Sequence, residues 1–109
     1  MEKRPLKFID IGGHRVKVVG MSQQQLVDKF VEFGGDDNGT GLCGIYIGPD
    51  QTIVTDKDVS NEEFFSTLFH EAIEAIHSIY ELELSHIQIS VLGEALFQAF
   101  KPTLLKGGK

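Results

Sequence analysis

His70, Glu71 and Glu74 have the types and the spacing to hold a metal ion and to work on a water beside it. They lie in the stretch Ser66-Thr-Leu-Phe-His70-Glu71-Ala-Ile-Glu74-Ala-Ile-His77. On an α-helix, at ~100° per residue, His70 and Glu74 are about 40° apart and one turn from each other, so their side chains can converge on one ion. Glu71 sits about 100° round from His70, close enough to address a water held by that ion. Phe65, Phe69, Ile73, Ile76 and Tyr80 form the adjacent apolar stripe. That stripe places the polar cluster at the margin of the buried face, where a shielded site can form.

This arrangement resembles the zincin metallopeptidases, whose signature is His-Glu-x-x-His on a helix. The resemblance implies one zinc ion, with His70 as a ligand and Glu71 as the general base that activates the metal-bound water. It also implies a third ligand from further along the chain. The likeness is to the short zincin-like proteins of phages and mobile elements, in the style of ImmA/IrrE-type metallopeptidases. It covers residues 39–100: a Gly-rich approach, a strand, an acidic cap, Thr-Leu-x-His-Glu and a second helix. The implied activity is hydrolysis of a peptide bond in a protein or peptide, and phage-borne relatives imply a protein target in host regulation or defence.

The motif departs from the family at one position, where Glu74 replaces the second histidine. Glutamate is itself a zinc ligand. Two His and one Glu leave a single positive charge on the metal centre. With Glu74 supplying the carboxylate, the same balance requires a histidine as the third ligand, and His86 at the start of the next helix is the first choice. If the two helices pack antiparallel, His86 is expected beside the end of the motif helix, nearer Tyr80 than His70. Glu94 ranks second, at a depth level with the motif, and makes a carboxylate-rich, nearly neutral site. His77 ranks third, because seven residues along a helix is ~10.5 Å, too far to share one ion with His70 and Glu74.

Three other readings stand beside this one. His70, Glu74, His77 and Glu81 are i,i+3 and i,i+4 neighbours, and such pairs also stabilise an exposed helix face by a few tenths of a kcal/mol each. Glu74-Ala-Ile-His77 has the Glu-x-x-His form used by di-iron bundles, which here would require a dimer. A non-catalytic protein-binding module, with a structural metal or none, is the alternative from another functional class. Mixed His and carboxylate ligands also suit iron, manganese or nickel.

The elements that must position these residues are legible in order. Lys7–Ile11 and His14–Val19 are β-rich runs joined by Gly12-Gly13, a hairpin signal. Val16 and Val18 alternate with Arg15 and Lys17, so one face of that strand is solvated. Residues 22–33 read as a short helix capped by Ser22, and 34–41 as a loop of small and acidic residues. Cys43–Ile47 and Gln51–Thr55 form a second strand pair turning at Gly48-Pro-Asp50. Ser60-Asn-Glu-Glu63 opens the motif helix, which runs to about Tyr80, and Ser85-His-Ile-Gln88 opens a last helix to about Phe100. Pro102 is expected to end it, leaving 102–109 as a flexible tail. Phe64, Phe65, Phe69, Phe97 and Phe100 are the expected aromatic core.

The reading is therefore an α+β fold, a single domain over 1–101. A small antiparallel sheet from two N-terminal hairpins and a short helix precede two packed C-terminal helices. Of 109 residues, ten are Lys or Arg and sixteen Asp or Glu, a net charge of −6. That balance argues against a nucleic-acid partner, whose footprint is basic. No run approaches the ~20 apolar residues of a membrane helix. The lone Cys43 fits a reducing compartment, so a cytoplasmic protein is expected.

Overall fold

Two glycines at positive φ, Gly12 (53°) and Gly13 (87°), close the first hairpin of the computed structural model, which describes residues 7–32 and 44–106. The hairpin pairs β1 (Phe8–Ile11) antiparallel with β2 (His14–Met21). Then comes α1 (Gln23–Glu32), followed by β3 (Gly44–Ile47) and β4 (Thr52–Asp56), a second antiparallel hairpin. Two long helices complete the chain, α2 (Asn61–Ile79) and α3 (His86–Lys106). The fold is α+β, with a four-stranded sheet and two packed C-terminal helices. Cys43, the 34–41 loop and the basic N-terminal residues lie outside the described residues.

Serine caps set the helix starts. Ser22 Oγ accepts the Gln25 N–H at 3.2 Å, while Gln25 Oε1 accepts the Ser22 N–H at 3.0 Å. Ser60 Oγ accepts the Glu63 N–H at 3.1 Å. At α3 the reciprocal box forms again: Ser85 Oγ takes the Gln88 N–H at 3.1 Å and Gln88 Oε1 takes the Ser85 N–H at 2.8 Å. Each cap satisfies helix-end donors that have no partner within the helix.

The sheet is mixed, which corrects the antiparallel expectation. Its order is β1-β2-β4-β3, and β2 runs parallel to β4, with Lys17 opposite Thr52 and Met21 opposite Asp56. Each hairpin is antiparallel within itself, but the chain between them crosses over. A parallel pair needs a crossover of a dozen or more residues, and the stretch holding α1 and β3 provides it.

This topology puts β4 in the middle, and all five of its residues are buried. Alternate side chains point to opposite faces. Ile53 joins Ile11, Val16, Phe64, Leu68 and Ala75 under α2, whereas Val54 joins Leu26, Ile45 and Ile47 under α1. In β2, Val16 is buried while Arg15 and Lys17 are exposed, as their alternation predicts.

The two long helices are antiparallel. Lys101 Nζ meets Glu62 Oε2 at 2.7 Å near the start of α2, and Leu84 meets His77 near its end. Phe69 lies between Phe97 (6.2 Å between ring centroids) and Phe100 (6.1 Å, ring planes 12° apart). Phe64 and Phe97 are buried, but Phe100 is half exposed, because α3 packs chiefly on α2 and only one face of that ring is covered. Pro102 does not end α3, which continues to Lys106. Proline removes one N–H donor, yet the Lys101–Glu62 pair and the Phe69 stack hold the preceding turn against α2. No helix among the described residues is long and apolar enough to cross a membrane.

Candidate metal centre

Two glycines allow neighbouring elements to close on the motif from either side. A Cβ on Gly44 of β3 would come within 2.5 Å of Thr67 Cγ2, 3.0 Å of the Val54 carbonyl oxygen and 3.5 Å of Glu71 Cγ. A Cβ on Gly93 of α3 would lie 2.9 Å from His70 Cα and 3.3 Å from its backbone nitrogen. Glu71 therefore packs against the sheet edge and His70 against α3. Glu74, about 40° round from His70 on the Glu71 side, falls between them.

Within that seam His70 Nε2 is 3.8 Å from Glu74 Oε2, and both side chains are about a third exposed (30% and 32%). The His86 ring meets the His70 ring edge-on, with centroids 6.1 Å apart. All three expected ligands thus share one patch across α2 and α3. Two donors bound at ~2.0 Å to one tetrahedral zinc stand ~3.3 Å apart, so the His70–Glu74 spacing is close to what an ion takes. Among the described residues, no three His, Cys, Asp or Glu side chains already stand as a closed metal group. The His86 side chain is exposed. In kind, two imidazoles and one carboxylate fit zinc.

Glu71 lies deeper than the margin at which the sequence reading places it. It is only 8% exposed and shares the buried face of α2 with Phe64, Thr67, Leu68 and Ala75. Of the expected stripe, Ile73 is buried but Tyr80, at the C-cap, is 53% exposed. No hydrogen bond or ion pair reaches Glu71 among the described residues. Burial, and then the neighbouring Glu74 carboxylate, push its pKa up to about 8. Without a metal nearby, Glu71 is thus chiefly a neutral acid at pH 7.

The chain reversal after α2 explains where His86 sits. Glu81 takes a left-handed conformation (φ 53°). The Leu82 N–H then bonds to the His77 carbonyl at 3.0 Å, and the Leu84 N–H to His77 Nδ1 at 3.3 Å. The connection folds back along the last turn of α2, so the His86 ring reaches His70 instead of lying beside Tyr80. His77 holds this reversal through Nδ1. Glu94 accepts from Gln98 Nε2 at 2.8 Å and lines a shallow groove of about 380 Å³ with Ser60, Glu62, Glu63 and Ser66. That groove lies toward the start of α2.

Gly44, Gly93 and the His77 clasp are the positioning residues that motif reading passes over. Gly93 carries a readable signal, because glycine inside a helix costs about 1 kcal/mol relative to alanine and so marks a packing need. No protein-family model matches the chain, and no curated protein or solved structure is significantly similar to it. The likeness to zincins is carried by the motif residues alone.

Proposed function

We propose that the chain is a zincin-like metal-dependent peptidase, with His70, Glu74 and His86 as metal ligands and Glu71 as general base. The observation that supports this most is the gathering of the three ligand side chains from α2 and α3, with a buried carboxyl one residue along from His70. A zinc ion in that seam would polarise a peptide carbonyl and acidify a water. A bound cation would favour the ionised form of Glu71, and the Glu71 carboxylate would then take a proton from the attacking water as the new C–O bond forms. It then delivers that proton to the amine nitrogen as the C–N bond breaks. The wall formed by Gly44 and Thr67 keeps bulk water from the Glu71 side chain. Glu74 supplies the one negative charge of the ligand set, and the two imidazoles leave the remaining positive charge on the centre.

Elemental mass spectrometry on untagged protein, beside His70→Ala and His86→Ala, tests the reading. About one zinc per chain, lost in both variants, is the expected result. Zinc lost only with His70→Ala removes His86 and returns Glu94 to the third position. No metal in any sample, even after zinc is added back, ends the peptidase reading. Glu71→Gln is expected to keep the metal and lose peptide hydrolysis.

The second reading, a non-catalytic binding domain on the same scaffold, is favoured by the lack of a closed three-donor group among the described residues. It predicts that Glu71→Gln changes no activity.

A further inference from the structure

Three polar side chains are buried in one place between the sheet and α2. Thr55 is 1% exposed, Glu71 8% and Thr67 9%. Among the described residues, no hydrogen bond or ion pair reaches any of the three side chains. A hydroxyl or carboxyl taken out of water without a partner is costly, and folded interiors satisfy nearly all such groups.

Gly44 is the point around which they gather. Thr67 and Glu71 are the two α2 side chains that a Cβ on Gly44 would meet, and Thr55 is paired with Gly44 across β3 and β4. Thr55 faces α2, because Ile53, two residues before it, packs with Phe64 and Leu68 of that helix. On its other side Thr55 pairs with Gly20 of β2. The row Gly20–Thr55–Gly44 thus carries one side chain where three strands ordinarily carry three. Nor does α2 close on Gly20: among the described residues, only Lys57 has atoms within 4 Å of where its Cβ would stand. The ligand for such a place is small, neutral and able both to donate and to accept, since two hydroxyls and a carboxyl surround it. Water has that chemistry, and a buried water takes two to four such partners.

We propose that Thr55, Thr67 and Glu71 hold one buried water molecule, which ties α2 to the central strand β4. It is a single enclosed molecule, separate from bulk solvent, and the inference does not depend on the metal reading.

Thr55→Val and Thr67→Val, singly and together, test it by urea denaturation of chelator-treated protein. Valine keeps the branched shape and removes the hydroxyl. Each single variant is expected to lower the folding equilibrium constant about 5-fold. The double variant is expected to fall well short of the ~25-fold product, because both hydroxyls bond to one shared partner. A single variant as stable as the parent chain overturns the proposal, since an unpartnered hydroxyl is better replaced by a methyl. The full product also overturns it, since each hydroxyl then has a partner of its own. If the double variant does not fold, a crystal structure of the unaltered chain decides. A solvent peak within ~3 Å of both hydroxyls and of the Glu71 carboxyl supports the water, and a dry contact overturns it.

Discussion

On its sheet side α2 sets Phe64, Leu68 and Ala75 against Ile11, Val16 and Ile53, all of them buried. On its other side it meets α3 through a backbone contact at Gly93 and a stack of phenylalanines, one of them half exposed. The first contact is a closed core. The second is a seam, and the polar groups lie where the seam opens, with His70 and Glu74 about a third exposed and His86 at the rim. The closed core and the candidate metal ligands thus sit on different sides of one helix. A change in the core should reduce folding with little preference for the site, and a change in the seam should reduce the site with a smaller effect on folding.

Phe64→Ala carries the largest expected effect, a loss of about 3–5 kcal/mol, because a buried aromatic ring leaves a cavity. Urea denaturation measures it, and a loss below about 1 kcal/mol would mean the sheet side is not the stabilising one.

Glu71 comes next, and it belongs to both sides. In the unfolded chain its carboxyl loses its proton near pH 4.3, whereas the metal-free folded state holds it up to about pH 8. Between those values the folded state binds more protons, so this contribution to stability is full below pH 4 and is lost as pH rises through 8. The slope is at most about 1.4 kcal/mol per pH unit. Glu71→Gln, which mimics the protonated form, should flatten the thermal-stability profile of chelator-treated protein and gain on the parent chain toward pH 8. Parallel profiles for the two proteins would deny the buried carboxyl.

Gly93→Val is the seam's own probe. The added side chain meets the His70 backbone, and overpacking of this kind costs about 1–3 kcal/mol. Displacing α3 should also weaken zinc binding more than Phe64→Ala does at equal residual stability. Equal losses of metal from both variants would erase the distinction between the two sides.

The smallest effect is at His77. His77→Leu removes the acceptor for the Leu84 N–H and should cost about 0.5–1.5 kcal/mol by denaturation. His77→Asn, whose side-chain oxygen can stand near the place of Nδ1, should recover part of that and more of the zinc affinity. No difference between Leu and Asn would show that the clasp does not position His86.

What the sequence discloses here divides by range. The caps at Ser22, Ser60 and Ser85 and the Gly12-Gly13 turn are legible because each acts on residues a few positions away. The parallel alignment of β2 with β4 is not legible from two hairpins, since it depends on how the chain crosses between them. The depth of Glu71 is hidden for another reason. α2 faces two partners, and beside the stripe through Phe69 and Ile73 it carries a second ridge of Phe64, Leu68 and Ala75, which includes that carboxyl. Continuation of α3 past Pro102 depends on Phe69 and Glu62, residues of another helix. His86 can be singled out from the charge balance of the ligand set. Its place against His70 cannot, because it follows from one left-handed residue, Glu81, and a bond from Leu84 to His77.

That reversal acts as a ruler. Four residues, Glu81-Leu-Glu-Leu84, separate Tyr80, the C-cap of α2, from Ser85, the cap of α3, and their side chains matter less than their number. Adding or removing one residue would break the spacing between the left-handed Glu81 and the Leu84–His77 bond, and with it the placement of His86 beside His70. A library of this connection should therefore accept changes of letter, with Glu81→Gly among the easiest at its left-handed position, and reject changes of length.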